Sequence, residues 1–475
     1  MAASVASTPA DPSSEVTAEE KLPFGLKLGW ASGAFGVSIL MNGISGVILA
    51  FAGTILGIDP WLAGAVIFAS KLFDVVTDPV VGMWSDKHRS SRGRRRPFLT
   101  WGAFLSATSF ALIFTTPVFD NQYVTALYLF GALCVYAFGY TLFNIPYMSM
   151  PAEMTDDYHE RSSIHAYRIV FVALGGMVAS SGIKFALAEL GENEIESWRL
   201  IGLACGAIIL VSLLTAYFST ARARFTEGSV DIGESKIQQL RRESGAVLGN
   251  RYFVRLIGVK FAQLMGVQTV GAAMFYFFLQ YLQTSLETLA VFGVIVTAST
   301  IIFAPIMVQF SKAYGKKAAY YLAAGASITY ALSWSFAVPG EPEWLILVRG
   351  TVVGIAFGGN VVMAMSMLTD IINEDANRTG VRREGAFTAL YSFVEKLTGA
   401  IGPLIVGIAL SFVGFDKNLP FGADQGENVN TALLLAVSWL PTIFNLIAIW
   451  LLSGYDLTEE DVQRVADEKT VGTQT

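Results

Sequence analysis

Little in this sequence can carry acid–base or metal chemistry. Histidine occurs three times, cysteine twice, and charged residues fill only 15% of 475 positions. His88, His159 and His165 fall in or beside basic loops without a shared spacing, so no metal site is expected of them. Cys134 and Cys205 both sit inside apolar runs and read as small hydrophobes rather than a disulfide or ligand pair. There is no nucleophile–base constellation, no phosphate-cradling glycine loop and no appended catalytic or signalling domain, which counts against an enzyme. Nucleic acid is not an expected partner either, because the basic residues lie in loops flanking apolar runs. With 53% hydrophobic residues and a mean hydropathy of +0.52, the chain has too little polar surface to coat a soluble protein of its size. An integral membrane protein in contact with the lipid bilayer is expected, and 45 glycines and 33 phenylalanines fit that class.

Twelve apolar segments have roughly the ~20-residue length that a bilayer core demands. They are read as residues 28–57, 60–84, 97–117, 122–150, 162–188, 198–219, 252–282, 286–311, 317–338, 343–370, 384–414 and 430–453. The first 27 residues read as a disordered polar tail without a signal peptide's apolar core, and 454–475 as a second polar tail. Lys and Arg concentrate behind the second segment (Lys87, Arg89, Arg92, Arg94, Arg95, Arg96), between the sixth and seventh, and behind the eighth (Lys312, Lys316, Lys317). Alternate loops such as "GIDP", "FDNQ" and "GENEIES" have none, which places both termini on the cytoplasmic side.

One stretch departs from the pattern. In "KLFDVVTDPVVGMWSDKHRSSRGRRRPF", residues 71–98, Asp74 and Asp78 lie four apart within an apolar run. That spacing stacks both carboxylates on one helix face, where each ionised carboxylate costs roughly 2.5–3.5 kcal/mol at mid-membrane. Three things can compensate: a proton shared by the pair, a basic residue from another helix, or a bound cation with hard oxygen ligands. Pro79 leaves the carbonyl of Val75 without its helical donor, so a kink is expected there. The remaining intramembrane charges are Arg168, Glu395 and Lys396, whereas Lys71 and Lys260 are read as snorkelling near helix ends. Counting Asp74, Asp78 and Glu395 against Arg168 and Lys396 leaves one negative charge, which a single monovalent cation or proton would neutralise.

The basic loop "GMWSDKHRSSRGRRRP" has an echo in "FSKAYGKKAAYY", and the longest polar connector, 220–251, lies midway between them. The expected organisation is an all-α membrane protein of twelve helices in two pseudo-symmetric six-helix halves, 28–219 and 252–453, the architecture of the major facilitator superfamily. Gly82 to Asp86 and Gly93 to Arg96 resemble the two ends of that superfamily's signature loop, with a stretched spacing between them. "DVVTDP", "YTLFNIPYMSMPAEMTDDYHERSSIHAYR" and "DIINEDANRTGVRREGAF" resemble, in order, the glycoside–pentoside–hexuronide:cation symporter family, typified by melibiose permease.

That resemblance implies a Na+- or H+-coupled symporter of a sugar, glycoside or hexuronide, working by alternating access in a bacterial inner membrane, as a monomer and without other cofactors. It implies that Asp74 and Asp78 hold the coupling cation (Na+ on both carboxylates if sodium-coupled), with Thr141 beside them. Tyr140 and Arg168 match family residues near bound sugar, and Lys396 a family lysine of the interdomain charge network. Asn144 stands where the family's helix-four carboxylate binds sugar hydroxyls, Ser38 where it has a helix-one aspartate, and Met148 where it has a tryptophan. The cation motif is therefore kept while the sugar motif is altered, and a galactoside is not the expected solute. Tyr391, one turn before Glu395, can line a solute cavity, and Asp86, Arg94, Arg95, Glu153 and Glu395 are assigned to gating or the charge network. The lost acids and tryptophan leave open a carrier of an amphipathic, lipid-like solute, and "AYR" at 166–168 resembles lysolipid carriers of the same shape. A non-transporting sensor would keep most of the same residues.

Overall fold

A computed structural model of the chain describes residues 22–88, 90, 93, 95–155, 157–221, 223 and 236–457. Its long helices follow one another as α1 Phe24–Gly43, α2 Pro60–Lys87, α3 Arg96–Phe114, α4 Gln122–Ser149, α5 Tyr158–Met177 and α6 Ile195–Ser219. The second series is α7 Arg251–Tyr276, α8 Leu286–Tyr314, α9 Lys316–Ser333, α10 Glu343–Thr379, α11 Glu384–Phe412 and α12 Trp439–Ser453. Among the described residues, ten helices are long and apolar enough to cross a membrane. The two expected spans outside that set are α2, interrupted by Lys71, Asp74 and Asp78, and α9, which opens on Lys316 and Lys317. Pro79 does not end α2, which continues to Lys87. α10 outruns its expected end at 370, because "IINEDANRT" stays helical until Gly380 takes a left-handed φ of 73° and caps it.

The two halves repeat each other in detail. After α1, a short helix Ile48–Ala50 runs into a π turn at Phe51–Ile55, and α7 runs into a π turn at Phe277–Tyr281. Leu56 N–H then donates to Phe51 O (3.0 Å) and Leu282 N–H to Phe277 O (2.9 Å). Gly57 and Gln283 follow with φ of 65° and 53°. Glycine adopts that region without strain, whereas glutamine does so only where surrounding structure holds it.

One hydrophobic core spans both halves: in the second half it keeps to the face opposite the basic loops, and in the first it also reaches Leu99, Tyr147 and Met154 near them. An aromatic chain crosses it, with ring centroids 5.1 Å apart for Phe51–Trp198, 6.0 Å for Trp198–Phe275 and 5.0 Å for Phe275–Phe421. At the basic face the cores are separate, one in the second half around Phe253, Met363 and Phe387, another in the first half around Val81, Phe98 and Leu142. The halves therefore meet at one face and part toward the other.

Glycine makes the meeting possible. A Cβ at Gly407 of α11 would fall 2.2 Å from Pro60 O of α2, and one at Gly64 2.9 Å from Leu404 Cα. Gly407→Leu is therefore expected to hold the closed face apart, raising maleimide labelling of a Ser411→Cys reporter and lowering transport by at least ~10-fold. Unchanged labelling would show that closure does not need this contact.

Polar bonds seal the same face. Lys417, in the loop after α11, bonds Asp59 Oδ1 (2.9 Å) and Gln122 Oε1 (2.8 Å), and Gln122 Nε2 donates to Asp59 Oδ2 (2.9 Å). Burial alone would raise the Asp59 carboxyl, but the bonds from Lys417 and Gln122 outweigh it and hold it below the ordinary 3.8. A lowered carboxylate favours the closed face above its ordinary value and loses that contribution as pH falls through the lowered one. Accessibility of the Ser411→Cys reporter is thus expected to be flat from about pH 5 to 8 and to rise below about pH 4. Lys417→Ala should raise it across the whole range.

Candidate functional site

Asp74 and Asp78 share one face of α2, and the structure brings to them two side chains from two other helices. Thr141 Oγ1 of α4 lies 3.1 Å from Asp74 Oδ1 and 2.8 Å from Asp78 Oδ1. Lys396 Nζ of α11 lies 2.9 Å from Asp74 Oδ2 and also bonds Asp78 Oδ2. Asp74 is 6% exposed, and Asp78 is about one-third exposed by side chain. Of the three ways to compensate the pair, the structure shows a basic residue from another helix. The lysine comes from the opposite half, so the ion pair crosses between the halves.

More lysines lie inside than the sequence count included. Lys260 does not snorkel: it is 4% exposed, 3.1 Å from Glu395 Oε1, and 4.5 Å from the centre of the Tyr391 ring. Lys71 is not at a helix end but three residues before Asp74, within electrostatic reach of Asp74 and Lys396. Lys184 of the segment Ile183–Leu190, a lysine the sequence reading passed over, also lies inside. Among the described residues, Asp74, Asp78 and Glu395 are accompanied by Lys71, Lys260 and Lys396, with Arg168 close to Tyr140, while Lys184 stands apart against the cavity. Adjacent residues Glu395 and Lys396 do point apart, one to Lys260 and the other to the aspartates.

The other assigned residues are spread more widely. Asn144 Nδ2 donates to Tyr140 Oη at 3.1 Å, and Asn144 Oδ1 is buried without a partner. Arg168 Nε is buried without a partner, as is Tyr391 Oη. Met148 is partly exposed one turn from Asn144. Ser38 is 2% exposed, with its hydroxyl donated to Val172 O at 2.8 Å, which joins α1 to α5. Arg95 Nε meets Glu153 Oε1 at 2.5 Å within the first half, so this pair does not tie the halves together. Arg94 and the Asp86 side chain lie outside the described residues.

A cavity of about 390 Å³ opens between the halves beneath Phe275 and Phe292. None of Ser38, Tyr140, Asn144, Met148, Arg168, Tyr391 or Lys396 lines it; its polar wall is built instead by residues such as Asn42, Lys184, Gln263, Asn360 and Asn445. Three irregular helix segments border it. α1 stops at Gly43 and restarts at Ile48, α5 passes into a π turn at Val178–Gly182, and the last span breaks at Ser438, one turn before Pro441. Pro441 cannot donate to the carbonyl of Val437, which accounts for that break. Non-helical backbone at membrane depth is tolerated only where protein or a water-filled cavity satisfies it. The sequence signal for this wall was a set of single amides and two lysines, Lys184 and Lys260, inside apolar runs.

Two opposed halves, closed over a cavity at one face and joined at mid-depth by a lysine on two aspartates, define a secondary membrane transporter. The chain belongs to the family described as MFS/sugar transport protein, which matches residues 29–459. It is 25% identical over 446 residues to the putative glycoside/cation symporter YagG of Escherichia coli, covering 93% of each chain. It is 22% identical over 488 residues to the sodium-dependent lysophosphatidylcholine symporter 1 of Xenopus tropicalis, covering 95% of this chain and 91% of that one. Among solved structures, the nucleoside transporter NupG superposes with a TM-score of 0.63 at 14% identity, over 90% of this chain and 98% of that one. The chain is thus a multi-pass membrane transporter of the major facilitator fold and not an enzyme.

Proposed function

We propose that the protein accumulates a sugar, glycoside or hexuronide with Na+ or H+, binding the cation at Asp74, Asp78 and Thr141. The observation that carries this reading is the Lys396 ammonium bonded to both carboxylates across the two halves. In the empty carrier the lysine compensates the pair. An arriving cation takes over its oxygens, with Thr141 supplying a further neutral oxygen. Lys396 is then released, and the contact between the halves is remade, so that cation binding and rearrangement become one event. Tyr140, Asn144, Met148, Arg168 and Tyr391 are assigned to the solute, and linkage requires the solute to strengthen cation binding as much as the cation strengthens solute binding. The basic face is read as cytoplasmic, which makes the conformation inward-open, in a bacterial inner membrane and with a complete pathway in each monomer.

The test is uptake into proteoliposomes of methyl glucoside and of D-glucuronate, each under an imposed Na+ or H+ gradient. Accumulation above equilibrium in either gradient supports the reading. A second reading, an amphipathic lipid-like solute, is favoured by the likeness to the lysophosphatidylcholine symporter. Cation-dependent uptake of lysophosphatidylcholine with no uptake of either sugar would replace the first reading with the second.

A further inference from the structure

Lys184 is a cation that the transport reading above does not use. Its Nζ donates to Ser180 O at 2.6 Å, and no described carboxylate pairs with it. An ammonium has three donors, so two remain for the cavity that Lys184 lines. Across that cavity stand two amides with the opposite deficiency. Asn360 of α10, 5% exposed, donates its Nδ2 to Ser327 Oγ at 3.1 Å, and Asn445 of α12, 4% exposed, donates to Pro441 O at 2.8 Å. Both amide oxygens are left buried without a partner. An unsatisfied buried acceptor is costly, and an unpaired ammonium in an apolar surrounding more so. Both residues line the cavity, so a bound solute can remove both deficits.

We propose that Lys184, Asn360 and Asn445 form a solute subsite, separate from the aspartate pair, that takes a carboxylate on Lys184 and hydroxyl donors on the two amide oxygens. The subsite selects an acidic polyol, such as a sugar acid, over its neutral counterpart, and it rests on the sugar-symport reading above. Size agrees: about 390 Å³ is the volume of a small-molecule pocket. Charge agrees as well. No described carboxylate pairs with Lys184, and a coupling cation adds a further positive charge, so an anionic solute lowers the cost of the loaded state where a neutral one leaves it unchanged. Irregular backbone borders the wall: α1 ends one residue after Asn42, Ser180 lies in the π turn that follows α5, and Asn445 lies about two turns past the break at Ser438.

Three probes test this on the purified full chain in sodium buffer, by calorimetric titration: D-glucuronate, methyl glucoside and lysophosphatidylcholine. Wild type is expected to bind glucuronate at least ~10-fold more tightly than methyl glucoside, and Lys184→Gln to lose at least ~10-fold more affinity for the acid than for the glycoside. Lys184→Arg should keep most of the preference, which shows that charge rather than folding is at issue. Asn445→Leu should weaken both sugars. A Lys184→Gln protein that binds sugars but keeps the wild-type preference overturns the subsite and leaves the sugar reading standing. Binding of lysophosphatidylcholine alone overturns the sugar reading, and the subsite with it.

Discussion

Asp78→Asn is expected to reduce cation-driven solute accumulation to the equilibrium level. Asp78 accepts from Thr141 at 2.8 Å and from Lys396, and its neighbour Asp74 accepts from the same two residues. An asparagine keeps the shape and one acceptor oxygen but removes the charge that a monovalent cation needs. Loss of a charged hydrogen-bond partner is worth about 1.5–3 kcal/mol, so cation affinity should fall by at least ~10-fold. Lys396 would stay on Asp74, and the contact between halves would no longer answer to the cation. Downhill exchange of solute should survive better than uphill transport, because exchange does not require the cation to be released. Proteoliposome uptake with and without an imposed gradient measures both. A variant that still accumulates solute to the wild-type level would remove Asp78 from the coupling site.

The second large effect is expected from Lys396→Gln, and it runs in two opposite directions. Without the ammonium, two carboxylates one turn apart lose the cation that bonds both, and only Lys71, near Asp74, remains to offset them. Breaking such a buried pair costs about 3–5 kcal/mol, so the cation-free variant should melt well below wild type. The coupling cation would no longer compete with the lysine, and its apparent affinity should rise, with sodium (or the proton, if that is the ion) restoring much of the lost melting temperature. Uphill transport should nonetheless fail, because the empty carrier has lost the charge that compensates its aspartates as it reorients. Thermal melting across a sodium titration at two pH values, beside uptake, separates the two effects. If Lys396→Gln melts and transports like wild type, the cross-half ion pair has no part in the cycle.

Much of this arrangement was legible before any coordinates. Hydrophobic run length placed the helices to within a few residues over most of the chain, and α10 alone ran well past its expected end because a polar sequence continued a helix already begun. The aspartate pair was legible because its cost in an apolar medium is local, and the pairing of Thr141 with it followed from the family resemblance. The cavity wall was not legible. Single amides such as Asn360 and Asn445 are also common where helices simply bond one another, so composition could not separate the two uses.

By itself the sequence determined that the chain spans a membrane as two repeated halves and that α2 carries a charge problem at mid-depth. Those follow from chain-local quantities: run length, loop charge and the 3.6-residue period. Only the tertiary structure decided how the problem is answered, with Lys396 of the opposite half on the aspartates, Lys260 on Glu395 rather than at the interface, and Lys184 lining a cavity bordered by unpartnered amides. Partner choice depends on which helices are neighbours and how each is rotated about its axis. Packing contacts such as Gly64 against Leu404 and Gly407 against Pro60 set those angles, across more than 300 residues of chain.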